Sequence, residues 1–132
     1  MIGIDTNVLV RFLTADDQAQ YQKVRRLFAT ETVFIADTVW LETEWVLRYA
    51  YDYQPAQICM AFHKVLELPN VDVNYKLEIA IAAHKAGMDF ADALHWVKNQ
   101  QCSDFFSFDR KLINKAVALK EKLGLSVQVL TP

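Results

Sequence analysis

The chain begins with MIGIDTNVLV at residues 1–10, and this stretch decides the fold class. Ile2 and Ile4 predict a short β-strand, and the apolar run that starts at Val8 predicts a helix. Asp5 lies between the two, and a carboxylate buried there without a partner would be costly. Ligand-binding residues of α/β proteins collect at the carboxyl ends of the strands. Asp5 is therefore a candidate site residue.

The alternation of strands and helices continues along the chain. Strands are predicted at Ile2–Ile4, Val33–Ala36, Val71–Val73, Phe105–Phe108 and Ser126–Leu130. Helices are predicted at Val8–Thr14, Asp16–Thr30, Thr38–Tyr51, from Pro55 to Leu66, and at Tyr75–Ala86, Asp89–Gln101 and Arg110–Leu123. This order indicates an α/β fold with a mostly parallel sheet and helices on both faces. Because the chain has 132 residues and no repeat or linker, we expect a single domain over residues 1–132.

The composition restricts the class of protein. Every apolar stretch is shorter than the roughly 20 residues of a membrane span, and no secretory signal pattern precedes the first strand, so no membrane partner is expected. The two distant cysteines are interpreted as core or boundary thiols of a cytoplasmic protein. With three glycines, the chain has no glycine-rich phosphate loop, which excludes the motifs of most kinases, ATPases and dehydrogenases. The net charge of −2 argues against a protein that coats nucleic acid indiscriminately.

Three further acids, Glu42, Asp92 and Asp109, lie in apolar sequence like that around Asp5. Asp109 also ends a predicted strand, whereas Glu42 and Asp92 lie early in predicted helices. Each acid alone has an ordinary explanation as a helix cap or a first-turn acid, with Thr6 or Asn7 as an alternative cap after Asp5. If the four acids converge at one rim of the sheet, a cation must compensate their charges. Oxygen ligands select Mg²⁺ or Mn²⁺.

Helix geometry separates Glu42 from its neighbour Glu44. At 100° per residue, Glu42 falls on an apolar face with Trp45 and Tyr49. Glu44 instead faces Arg48 one turn later, as in an ordinary surface ion pair. The pattern therefore selects Glu42 as the unusual acid of this helix.

The other ionisable residues carry weaker signals. His63, His84 and His95 lie on separate predicted helices and are interpreted as surface or boundary residues. His95, one turn after Asp92, is a candidate to support that acid. Cations beside the acids could hold a phosphodiester backbone, although a solvated surface charge is the default for each. The candidates are Arg11, Arg48, Arg110, Lys111 and Lys115.

Four motifs occur in order along the chain: IGIDTNVLV at residues 2–10, LE-x-x-WVLR at 41–48, DFADAL at 89–94 and FSFDR at 106–110. Together they resemble the PIN-domain nucleases, and more narrowly the VapC-type toxins of bacterial toxin–antitoxin modules. The resemblance runs over nearly the whole chain, and the family's acids fall on the four acids selected above. The resemblance places polar residues beside them at Asn7 and Ser107, and Thr6 is a further supporting candidate.

The resemblance implies a parallel sheet of order 3-2-1-4-5 and a homodimer. It also implies RNA cleavage that depends on Mg²⁺ or Mn²⁺, and a small antitoxin whose tail blocks the active site. In that mechanism Asp5, Asp92 and Asp109 would hold one or two ions, and Glu42 would position or deprotonate a water molecule.

The leading hypothesis is thus a metal-dependent endoribonuclease toxin. Two alternatives stay open. The chain could be a PIN-fold module that has little turnover and binds a protein partner through aromatic residues outside the acidic motifs: Tyr21, Phe28, Tyr49, Tyr51 and Tyr53. It could also be a DNA-directed nuclease of the same superfamily, because an acidic cluster acts on the phosphodiester and does not read the sugar.

Overall fold

A computed structural model describes residues 1–74 and 76–132. The chain divides into two compact units, Met1–Tyr75 and Lys76–Pro132. The first unit contains β1 (Ile2–Gly3), α1 (Thr6–Thr14), α2 (Gln18–Thr30), β2 (Val33–Ile35), α3 (Asp37–Tyr49), α4 (Pro55–Leu66) and β3 (Val71–Val73). The second contains α5 (Leu77–Lys85), α6 (Phe90–Lys98), β4 (Asp104–Phe106), α7 (Arg110–Leu119) and β5 (Gln128–Leu130).

The first unit is built on a parallel sheet in which β2 lies between β1 and β3. Val33 pairs with Ile2 on one side and with Val71 on the other. Helix α1 packs against both α2 and α3. The side chains that fill this core are fully buried and include Leu9, Val33, Ile35, Trp40 and Leu47.

The second unit is built on the parallel pair β4 and β5. Helix α5 packs against α6, and α7 packs against β5. Trp96 is fully buried, and its indole N–H donates to the carbonyl of Val127 at 2.8 Å. This bond fixes α6 to the segment that leads into β5.

The α/β class and the parallel strands are confirmed. The order 3-2-1 in the first sheet and the neighbours 4 and 5 in the second agree with the predicted order. The placement of β1 beside β4 and the single domain stay predictions. None of the helices that the structure describes is long and apolar enough to cross a membrane.

Several element boundaries differ from prediction because capping residues decide them. Helix α1 begins at Thr6, ahead of the predicted Val8, since the side chain of Asp5 caps it. The alternative cap at Thr6 or Asn7 is not used, because Asp5 itself is the N-cap. Strand β2 ends at Ile35 because Ala36 is already the extended N-cap of α3. The predicted start of the fifth helix at Tyr75 lies outside the described residues.

Two side chains lie elsewhere than predicted. His84 is buried and not at the surface, because it faces Phe90 across the α5–α6 contact, with ring centroids 5.5 Å apart. Its Nδ1 is 2.8 Å from the carbonyl oxygen of Met88. Cys102 is exposed, because α6 ends at Lys98 and leaves the thiol in the turn that follows.

Candidate active site

Asp5 lies at the carboxyl end of β1, where the chain turns into α1. Its backbone is extended, and its Oδ1 accepts a hydrogen bond from the N–H of Val8 at 3.1 Å. The side chain is exposed. A carboxylate has about four lone-pair sites, so one capping bond leaves it able to bind a cation as well.

Thr6 connects this turn to Glu42 on α3. The Thr6 hydroxyl donates to Oε1 of Glu42 at 3.2 Å. Helix α3 begins at Asp37, so Glu42 lies beyond the first turn and is not explained as a first-turn acid favoured by the helix dipole. The structure thus brings together two side chains that the sequence assigned to the site. Asn7, the next residue of α1, is exposed.

The predicted roles of the two helix faces were wrong for α3. Glu44 is 1% exposed and faces the core, whereas Glu42 is exposed together with Trp45 and Tyr49. The predicted contact of Glu44 with Arg48 is confirmed, at 2.8 Å and 3.1 Å from its two carboxylate oxygens. Both faces of this helix carry apolar residues, so apolar content alone could not tell which face is buried.

Two of the predicted nucleic-acid-binding cations are held by neighbouring side chains. The guanidinium of Arg48 is paired with Glu44. That of Arg11 donates to Gln20 at 2.6 Å and to Asp16 at 3.2 Å. Their predicted contact with nucleic acid stays a prediction, but in this structure both stabilise local packing.

Asp16 belongs to the same polar cluster as Arg11. The hydroxyl of Tyr51 donates to its Oδ2 at 2.5 Å, and the hydroxyl of Thr14 donates to its Oδ1 at 3.0 Å. These hydrogen bonds, that of Tyr51 above all, together with the charge of Arg11, lower the pKa of Asp16. The cluster ties the end of α1 to the segment after α3.

In the second unit, Asp89 and Asp92 share the first turn of α6. Asp89 is the N-cap, as predicted, and accepts a hydrogen bond from the N–H of Asp92 at 3.2 Å. Asp92 is half-buried. From the sequence, Asp89 was interpreted only as a helix cap, and the effect of its negative charge on Asp92 was not predicted. The three-residue spacing was the available signal, because residues i and i+3 are neighbours on a helix surface.

Asp109 follows β4 as Asp5 follows β1. It caps α7, accepting from the N–H groups of Lys111 at 2.9 Å and Leu112 at 3.3 Å. Its own N–H donates to Oγ of Ser107 at 3.0 Å, so the predicted polar residue holds the turn that carries the acid. The capping explanation of Asp109 is therefore correct as a structural fact, and it leaves room for a second role.

The acids of this unit act on one another electrostatically. Burial raises the pKa of Asp92, and the negative charges of Asp89 and Asp109 raise it further, while His95 opposes them. A carboxyl group pushed toward its protonated form by nearby acids is the arrangement that a bound cation would relieve.

The donor set fits a hard divalent cation, because it consists of carboxylate oxygens. Among residues 1–74 and 76–132, no three His, Cys, Asp or Glu side chains form a ready-made metal-binding group. Asp5 and Asp109 act instead as helix caps, and Glu42 accepts a hydrogen bond. Asp5, Asp92 and Asp109 are the residues whose chemistry suits such a cation, and their convergence with Glu42 stays a prediction.

The PIN domain family model matches residues 2–118, a range that includes all four acids. The chain belongs to the PIN domain family. PIN domains are generally metal-dependent nucleases and typically use divalent cations such as Mg²⁺, so this chain is a nuclease-type protein. Comparisons with curated proteins and with solved structures gave no match.

Proposed function

We propose that this PIN-domain protein is an endoribonuclease toxin of the VapC type that depends on Mg²⁺ or Mn²⁺. The observation that carries the proposal is that each of two family acids follows the carboxyl end of a strand in its own parallel sheet. Asp5 follows β1 and Asp109 follows β4, each on a turn that opens a helix. Sites of α/β proteins form at such strand ends. The four motifs of the resemblance support the toxin class.

The remaining acids supply the other parts of the chemistry. Asp5, Asp92 and Asp109 would hold the cation, which when bound would lower the pKa of an attacking water and polarise the phosphate. Glu42 orients that water and accepts its proton. The Thr6 hydroxyl donates to Oε1 of Glu42, so Oε2 is the oxygen that we assign to accept the proton. The water oxygen bonds to phosphorus, and the bond from phosphorus to the leaving oxygen breaks. The leaving oxygen keeps the electron pair and takes up a proton from solvent.

The proposal includes a small cognate antitoxin, a homodimer and a cytoplasmic location. The motifs that resemble the VapC-type toxins support all three. A small reading frame next to the gene, and a tight complex of the two products, would test the antitoxin directly.

Purified protein incubated with labelled RNA tests the activity. We expect cleavage with Mn²⁺ or Mg²⁺, none with EDTA, and loss of cleavage in Asp5→Asn, Asp92→Asn, Asp109→Asn and Glu42→Gln. Matched controls are Asp72→Asn and Glu67→Gln, which change exposed acids on β3 and at the end of α4 and should cleave like wild type.

Three outcomes would contradict the proposal. Full activity of the Asp5→Asn variant would contradict the proposed role of the acids in catalysis. Preferential cutting of single-stranded DNA would favour a DNA-directed nuclease. Absence of any cleavage, with tight binding of a small protein, would favour the binding module.

A further inference from the structure

The turn between β4 and α7 presents an unusually exposed aromatic ring. Phe108 is 84% exposed, the highest value among the large apolar side chains that the structure describes as exposed, and Phe106 two residues earlier is 58% exposed. Single exposed apolar residues are common and need no explanation. Two features distinguish Phe108: hydrogen bonds fix the backbone on both sides of it, and two cations follow it in the sequence.

Hydrogen bonds fix the backbone before and after Phe108. The N–H of Ser107 donates to the carbonyl of Leu130 on β5 at 2.9 Å. The N–H of Asp109 donates to the Ser107 hydroxyl, and the Asp109 carboxylate caps α7. The ring is therefore carried by a turn anchored to a strand on one side and to a helix on the other. A ring on such a scaffold loses little conformational entropy when it binds.

Two cations follow the ring in sequence. Arg110 and Lys111 are exposed in the first turn of α7, and within the part of the chain that the structure describes neither takes part in an ion pair. The N-terminal end of a helix already carries partial positive charge, so these cations are not placed there to stabilise α7. Their positive charges are therefore available to a phosphate.

An exposed aromatic ring beside cations is the chemistry that binds single-stranded nucleic acid, through base stacking and phosphate contacts. We propose that Phe108 stacks on an unpaired base of the RNA strand, while Arg110 and Lys111 contact the phosphates next to it. This inference rests on the proposed function, because the strand bound is the strand cleaved beside Asp109. A base in a duplex is already stacked and paired, so Phe108 makes the site select single-stranded RNA.

Binding of fluorescein-labelled 12-nucleotide RNA, followed by fluorescence anisotropy with Mg²⁺, tests this. All proteins carry Glu42→Gln so that the RNA stays intact. Adding Phe108→Ala should weaken binding of the single strand about tenfold or more, since stacking one base contributes strongly to affinity. Binding of a hairpin RNA with no unpaired stretch should not change. Phe108→Trp should restore binding, and the matched control Val117→Ala, which removes an exposed apolar side chain from α7, should have no effect.

A series of RNAs, each with one abasic position, separates stacking from a general effect. At one position the missing base should weaken binding to the protein that keeps Phe108 and should leave the Phe108→Ala protein unaffected. Such non-additivity reports a direct pair. Arg110→Gln and Lys111→Gln should instead reduce the slope of log affinity against log salt by about 0.7 for each phosphate of the single strand that is no longer neutralised.

The outcomes separate the inference from the function on which it rests. If wild type cleaves no RNA, the proposed function fails whatever Phe108 does. Suppose that wild type cleaves RNA. The stacking role is then overturned if Phe108→Ala binds the single strand as tightly as the protein that keeps Phe108, or if it lowers the affinity for every abasic RNA by the same factor. Unchanged RNA binding with loss of a protein complex would assign the ring to a protein interface and would also overturn it. Circular dichroism melts confirm that each variant is folded.

Discussion

The hydroxyl of Thr6, the first residue of α1, donates a hydrogen bond to Glu42 on α3 across 3.2 Å. The bond holds one oxygen of the acid that we assign to the attacking water, and it does so from the residue next to Asp5. A small side chain at the start of one helix thereby positions an acid on another.

Replacing Thr6 by Val tests this positioning. The variant keeps the size and branching of the side chain but removes the donor, so Glu42 becomes free to rotate. We expect kcat to fall roughly fivefold, equivalent to about 1 kcal/mol, with KM little changed. Thr6→Ser, which restores the hydroxyl, should recover most of the rate. An unchanged kcat in Thr6→Val would show that the bond has no part in catalysis.

Glu42 and Glu44 should respond in opposite ways to the same change. Glu44→Gln removes the charge of a buried acid that meets Arg48, and we expect a loss of about 1–3 kcal/mol in unfolding free energy with the activity of the folded protein retained. Glu42→Gln should change stability little and lower kcat/KM at least about 100-fold. Urea denaturation and cleavage assays on both variants decide the assignment, and a stable but inactive Glu44→Gln would reverse it.

The sequence was sufficient for some of these features because local chemistry decides them. The helix starts at Pro55 and after Asp89 and Asp109 are set by their own side chains, so they could be predicted. Strands such as β4 end earlier than predicted, because the residues that follow them form the turn into the next helix. Ser107 follows β4 immediately and already belongs to the turn that opens α7.

The faces of α3 could not be predicted, because the decision is made by packing at a distance. Trp45 is 57% exposed although it is one of the largest apolar residues, while Glu44 is buried because Arg48 neutralises it. The apolar pattern of a single sequence does not show which of two apolar faces of a helix is buried. The choice of Glu42 over Glu44 by helix face rested on this wrong assignment, so Glu42 stays a candidate because it falls on the family's acid in the motif at residues 41–48.

Asp92 should limit the stability of the metal-free protein. Its pKa is raised by burial and by the charges of Asp89 and Asp109, which means that the folded state disfavours the ionised form. Asp92→Asn should therefore raise Tm at pH 7 without metal, by an amount equivalent to less than about 1 kcal/mol, since solvent screens a half-exposed group. Adding Mg²⁺ should close the gap, because wild type binds the ion and the variant binds it less well.

The difference in Tm between Asp92→Asn and wild type should depend on pH in a definite direction. The penalty from Asp92 is present above its folded-state pKa and is relieved as the pH falls through that value toward the ordinary range of an aspartate. The difference in Tm between Asp92→Asn and wild type should thus shrink as the pH is lowered from 7 to 4. A difference that grows on acidification would contradict the electrostatic explanation.

Asp16 should show the opposite dependence. The hydroxyl of Tyr51 is the main reason that its pKa is lowered, so the ionised carboxylate stabilises the fold above the ordinary pKa of an aspartate. This contribution is lost as the pH falls through the lowered pKa of the folded state. Tyr51→Phe should therefore reduce the free energy of unfolding at pH 7, and the difference from wild type should vanish at strongly acidic pH.

The matched control Tyr21→Phe changes another partly buried tyrosine and should show no such dependence. Urea denaturation of the three proteins between pH 7 and pH 2 measures it, and a constant difference across this range would mean that Tyr51 acts through packing alone.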